Sequence, residues 1–307
     1  PMGLAGGINV LTALAIGSKS KKDVSETVHT AGVISLIAGL LLLLVGVVFA
    51  RNILVILHTK DELIEGAVAY LHIYFLGMPA LALYNFGNAV FSAGGNTKKP
   101  LMYLSIAGVL NVILNLFFVI VLKIDVRGVA LASAISQYVS AFLILKDLFG
   151  SHEIYRLRWG EMRLTGHKAK RILQIGVPSA FQYMIYSVAN LFVQSGVNSF
   201  SATVVSGNSA AMNADNLVYD IMAAFYTVCG TFMGQNLGAR NKKRVINSYL
   251  ISLLYSTLIA VVAGMFLVIF SHQFLGLFAN DKAVIDAGVD RLMIMASCYW
   301  LSAAMDC

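Results

Sequence analysis

Charge is what this sequence has least of. Only 12% of its 307 residues are charged while 58% are hydrophobic, and the mean hydropathy is +0.78. A soluble domain carries about twice that fraction of charge, so water is excluded as the main solvent. Cysteine is also scarce. Cys229, Cys298 and Cys307 have neither pairing nor metal-ligand spacing and are expected to be small buried hydrophobes. The six histidines form no metal-binding or catalytic cluster, and His72 alone lies well inside an apolar run. With no nucleophile beside a base, the sequence offers an enzyme nothing to work with. No catalytic residue, metal or cofactor is expected. Of four prolines, Pro100 suits a first helical turn. Pro79 and Pro178 fall near or inside apolar runs, where a proline frees a carbonyl and kinks the helix.

What is abundant is apolar runs approaching or exceeding the roughly 20 residues a spanning helix needs. They recur at 31–50, 68–91, 101–122, 129–145, 172–193, 217–232 and 251–270. The fold class expected is all-α, a polytopic membrane helical bundle. The net charge of +7 is topological: sixteen of the 22 Lys and Arg residues sit in four alternate loops, around residues 19–22, 98–99, 146–171 and 240–244. The positive-inside rule puts those loops in the cytoplasm and 58–62, 123–127, 199–209 and 280–286 outside. The protein is therefore expected in the cell's inner, or plasma, membrane, with the lipid bilayer as its partner and no nucleic acid. Arg291 belongs to none of the four loops; the basic residues are expected in loops or near helix ends.

An internal repeat organises the runs. Laying Gly17 on Gly238, an offset of 221, also superposes Lys21 on Lys242, Lys22 on Lys243, Val24 on Val245 and Ser35 on Ser256 without a gap. Both glycine and Lys-Lys copies fall in basic loops, so an even number of crossings separates them, and six fits. This predicts two pseudo-symmetric six-helix lobes in parallel repeat, truncated at both ends of the sequence: an N-terminal lobe over 1–149 holding helices 2–6, a cytoplasmic linker over 150–167, and a C-terminal lobe over 168–307 holding helices 7–10.

Three carboxylates, Asp215, Asp220 and Asp306, fall within apolar runs. An ionised acid at the bilayer centre costs about 2.5–3.5 kcal/mol on insertion scales, so such groups face a cavity or a partner and are candidates for cation coupling. Asp215 is expected only about seven residues into its helix and Asp220 deeper. Polar residues recur every four positions at Gln182, Tyr186, Asn190, Gln194 and Asn198, a stripe that winds round a 3.6-residue helix. Asn213, Asn216 and Asp220 share a face on the next helix. The two polar faces are compatible with a wet pocket or with interhelical packing. Asn111, Asn115 and Ser133 offer uncharged oxygens for a monovalent cation or for hydrogen bonds between helices.

At these residues the sequence resembles the multidrug and toxic compound extrusion (MATE) family. The likeness is carried by 234–239 (GQNLGA), 175–178 (IGVP), 111–115 (NVILN) and 129–137 (VALASAISQ). The resemblance implies a monomeric secondary antiporter of two six-helix lobes, exporting small cationic, amphipathic organic compounds in exchange for H⁺ or Na⁺. It places Asn111 at a family asparagine, Asn115 where an aspartate often stands and Ser133 in place of a threonine. Tyr186 stands where some members carry a glutamate. Asp215 and Asp306 match acids frequent on the eighth and tenth helices. The alternative is a flippase of lipid-linked saccharides from the same superfamily, which should line its cavity with several basic residues to hold pyrophosphate.

Overall fold

A computed structural model describes residues 2–56 and 61–306, with the side chains of all but Met2, Asp61, Glu62, Asp125 and Asp306. The elements, in order, are α1 (Met2–Gly17), α2 (Lys21–Ile56), α3 (Asp61–Leu76), α4 (Met78–Ala93), α5 (Lys98–Leu116), α6 (Asp125–Gly150), α7 (Gly166–Val197), α8 (Ala202–Gly238), α9 (Lys242–Ile269), α10 (Ser271–Leu275) and α11 (Lys282–Asp306). A π-helical stretch, Phe117–Val121, follows α5. The described residues contain no strand. Among the described residues six spans are long and apolar enough to cross a membrane: α2, the α3–α4 pair, α5 with its π stretch, α6, α8 and α9.

The 221-residue offset recurs in the helix boundaries. Gly17 ends α1 and Gly238 ends α8; Lys21 opens α2 and Lys242 opens α9; Asp61 opens α3 and Lys282 opens α11. Between the first two pairs, Lys19 and Arg240 each hold a left-handed backbone with φ of 56°, a conformation uncommon outside glycine. The same tight reversal is built twice.

One apolar run is two helices. Gly77 separates α3 from α4, and Pro79 lies in the first turn of α4. Proline has no N–H to give its helix, and at the break the Leu76 carbonyl accepts from the Tyr138 hydroxyl at 2.9 Å. The break also seats α4 against α2: a Cβ on Gly39 would lie 2.7 Å from Pro79 Cα. Close backbone contact of this kind replaces the hydrophobic drive that helices lose in lipid.

The chain divides into two compact units, 1–180 and 181–307. In the first, Ile8, Val24, Val28, Phe86, Phe91, Ile144, Leu148 and Ile172 form a core. The exposed flank of α2, including Leu40, Leu41, Leu44 and Val48, suits acyl chains.

The segment between α6 and α7 is fastened to this core. Tyr155 meets Phe91 edge-on at 5.7 Å between ring centroids, and Leu157 is 2% exposed. Burial pushes the Tyr155 phenol up to about 12, so it stays neutral. Further ties reach α2 from this segment and from the first turn of α7. Arg158 N–H donates to His29 Nε2 at 2.9 Å, and Ser25 donates to Glu161 at 2.5 Å. Thr165 N–H donates to Thr30 at 3.1 Å, and Lys168 meets Asp23 at 2.9 Å. The Ser25 hydroxyl and the Arg158 guanidinium hold the Glu161 carboxyl below its ordinary 4.5. A depressed acid adds stability above its unfolded value and loses it as pH falls through the folded one. Protease nicking within 151–165 is therefore expected to rise as pH drops below about 4.5, and Glu161→Gln should abolish that part of the pH response.

In the second unit α8, α9 and α11 pack through small residues. Ala210, Ala211, Ala214, Ala260, Ala296 and Ala303 line the core with Val218, Met222, Leu292 and Tyr299. At the α8–α11 crossing, a Cβ on Gly207 would lie 2.6 Å from the Val284 carbonyl oxygen and 2.8 Å from Gly288 N. Gly207→Val is expected to destabilise the protein by about 1–3 kcal/mol through overpacking, read as a lower melting temperature in detergent. Gly66→Val, where nothing lies within 4 Å, should not.

Candidate functional site

The close crossing sets the register of the membrane acid. α8 begins at Ala202, not beyond 209, because Ser201 caps it through the Val204 N–H. Asp215 is thus thirteen residues, about 20 Å at 1.5 Å per residue, into its helix. The sequence-based estimate of seven was too shallow: the polar stretch 202–209 had been taken for loop, yet its small residues pack as helix. Eight residues separate Gly207 from Asp215, and eleven separate Gly288 from Tyr299, so the contacts advance together and α8 and α11 run parallel.

Two residues of α11 hold Asp215. Arg291 Nη1 lies 2.7 Å from Asp215 Oδ2, and the Tyr299 hydroxyl donates to Asp215 Oδ1. Arg291 and Tyr299 stand eight residues apart, a little over two turns, so they approach the carboxylate from opposite ends of one helix face. The side chains are 15% exposed for Asp215 and 28% for Arg291. The charged pair lies outside hydrogen-bonding geometry, so its attraction is Coulombic and angularly loose, whereas the tyrosine bond is directional.

Arg291 corrects the expectation that basic residues keep to loops and helix ends. It is the tenth residue of α11, about 13 Å along the helix, and it is tolerated there because Asp215 neutralises it. The sequence carried a signal: Arg291 belonged to none of the basic loops, and a tyrosine follows two turns later.

The other candidates divide. Asp220 lies on the surface of its unit and has no ion pair among the described residues. The Asp306 side chain lies outside the described residues. Asn213 and Asn216 are exposed, with Asn213 donating to the Ser209 carbonyl at 3.3 Å. Gln182 and Asn190 are exposed, and Gln194 donates to Asn198 at 2.9 Å along its own helix. In the first unit Asn115 donates to Asn111 at 3.0 Å, and Asn111 donates to Ser133 at 3.4 Å. That chain ties α5 to α6 and leaves the buried Asn115 Oδ1 without a hydrogen-bond donor. His72 donates to the Val47 carbonyl at 3.0 Å. Cys229 is buried, but Cys298 is exposed, against expectation: Leu292, Ala296, Tyr299 and Ala303 form the packed face of α11, and Cys298 is off it. No group of His, Cys, Asp and Glu among the described residues could hold a metal.

Known proteins share this fold. The MatE family signature matches residues 1–117 and 178–306. "Probable multidrug resistance protein YpnP" of Bacillus subtilis is 32% identical over 205 residues, covering 65% of this chain and 44% of its own length. An "FAD transporter" of Shewanella oneidensis is 21% identical over 302 residues, covering 97% of this chain and 67% of its own. This chain therefore spans under half of the first relative and about two thirds of the second. Among solved structures, MATE in complex with MaL6 superposes with a TM-score of 0.89 at 20% identity, over 98% of this chain and 68% of that one; the fold is the same. A signature that takes in both helical units, on a fold shared almost throughout, places the chain in the MatE family of membrane transporters.

Proposed function

We propose that the chain is part of a secondary antiporter that exports cationic, amphipathic compounds in exchange for H⁺ or Na⁺, with Asp215 as the carboxylate over which the two cations compete. The observation that carries this is an acid deep in a membrane helix whose only charged partner among the described residues is a long, flexible side chain from a neighbouring helix. Both carboxylate oxygens are engaged, one by Tyr299 and one by Arg291. A proton, Na⁺ or organic cation gains Asp215 only by displacing Arg291, so one cation excludes another. Mutual exclusion at one charge is what exchange requires. Asp220 and Asp306 are the further acids available to the cycle, and Gln182, Asn190, Gln194, Asn213 and Asn216 the polar lining. The lobes over 1–149 and 168–307 alternate access, with the basic loops in the cytoplasm. YpnP, by its name, belongs to drug resistance, which supports the substrate class.

A second reading starts from Arg291. Once Asp215 is neutralised, Arg291 is a membrane-embedded cation, and an anionic compound is the substrate such a group attracts. Efflux from vesicles holding the full-length protein separates the two. A cationic dye expelled under an imposed pH or Na⁺ gradient supports the first reading; export of FAD with no response to either gradient supports the second.

A further inference from the structure

The first unit carries a cleft of about 620 Å³ that the transport reading does not use. It lies between the start of α2 and the segment joining α6 to α7, and its charged lining is Lys21, Lys22, Arg156, Arg158 and Arg163 against Glu26, Glu153 and Glu161. The excess of cations is two, and their partners decide which are free. Arg158 is spent on Glu161 at 2.9 Å and Arg163 approaches Glu26 at 3.5 Å. Lys21, Lys22 and Arg156 have no carboxylate partner among the described residues. Arg156 is nevertheless fixed: its Nε donates to the Phe149 carbonyl at 3.0 Å, leaving both terminal nitrogens of the guanidinium for a ligand. A fixed guanidinium fork with two ammonium groups suits the oxygens of a phosphate. The positive end of the α2 dipole, at Lys21, adds to the same field.

The walls are built rather than loose. Ser25, which lines the cleft, holds Glu161 at 2.5 Å, and the buried His29 holds the Arg158 backbone. Beside the cleft Trp159 stacks on Phe149 at 4.4 Å and is 77% exposed, as tryptophans are at the level of lipid headgroups.

We infer that this cleft binds a phosphate-bearing anion through Lys21, Lys22 and Arg156. The phosphate could belong to an acidic phospholipid or to a soluble ion, and the test separates them. The protein is placed in phosphatidylglycerol or phosphatidylcholine nanodiscs and retained lipid is counted by native mass spectrometry; in parallel, inorganic phosphate is titrated calorimetrically into the phosphatidylcholine sample. Removing Lys21 and Lys22 together as glutamines should weaken binding roughly 25-fold, and adding Arg156→Gln roughly 100-fold, at about fivefold per charge near a membrane surface. The double Lys→Arg variant, which keeps the charge, should bind as wild type. Lys170→Gln with Arg171→Gln, of equal charge change but outside the cleft, should also leave binding intact. Preferential retention of phosphatidylglycerol, undisturbed by millimolar phosphate, identifies the lipid; a phosphate isotherm lost in the triple variant identifies the soluble ion. The inference is overturned if neither probe binds, or if the Lys170/Arg171 variant loses as much as the Lys21/Lys22 variant.

Discussion

Arg291→Gln, with Asp215 intact, is expected to destabilise the protein by about 3 kcal/mol, the low end of the cost of stripping one partner from a buried ion pair. The low end applies because Arg291 keeps 28% of its side chain exposed. The cause is the orphaned charge: Asp215 would keep its Tyr299 bond but lose its counter-ion. Combining Arg291→Gln with Asp215→Asn removes both charges and should return most of the loss, since a neutral pair leaves nothing uncompensated. Tyr299→Phe should cost no more, about 1.5–3 kcal/mol for a hydrogen bond to a charged acceptor. Melting of the full-length protein in detergent, with Asp215→Asn alone as the fourth variant, reads the series. Additive losses in the double variant would mean that the two side chains do not act as a pair.

Asp215→Asn is expected to lower gradient-driven efflux of a cationic dye about 100-fold, towards the upper limit of a coupling energy of 1–3 kcal/mol. Asparagine keeps the shape and can still accept from Tyr299, but it leaves Arg291 without its counter-ion, so efflux is read per folded molecule. What it loses is the charge for which H⁺, Na⁺, Arg291 and the exported cation compete. Efflux should be lost under both kinds of gradient, because the carboxylate serves whichever cation drives the cycle. Asp220→Asn tests the other described acid of the same helix, which is expected to carry a smaller share of the coupling. Its side chain has no ion pair to break among the described residues, and a comparable loss there would move the coupling site one and a half turns along α8.

Much of this was legible in the sequence, for physical reasons that differ by element. The spans were visible because lipid demands long apolar runs, and the 221-residue repeat because a glycine followed by a Lys-Lys pair recurs in two basic loops. The break at Gly77 followed from Pro79. The start of α8 was misplaced because Ser201, Ser206 and Ser209 look like loop when hydropathy is the guide, whereas Ser201 caps the helix and Gly207 permits its closest contact. Asp215 was identified from its charge within an apolar run and from the family resemblance. Its partners were not, because Arg291 and Tyr299 lie 76 and 84 residues further on and only the α8–α11 crossing brings them to it. The grip of Tyr155 and Leu157 on the core was equally hidden: in 151–165, charged residues alternate with apolar ones, and which of them turn inward is decided by Phe91 and Leu148.

The central claim is that one carboxylate serves both the exported cation and the coupling cation. The most direct measurement is the affinity of the full-length protein for a fluorescent organic cation, at stepped pH and stepped Na⁺, in wild type and in Asp215→Asn. The wild type should bind more weakly as H⁺ or Na⁺ rises, approaching a tenfold loss per tenfold rise in the competing cation, and the variant should bind weakly and independently of both. A variant that keeps the wild-type dependence on pH or Na⁺ would place the shared charge elsewhere and contradict the account.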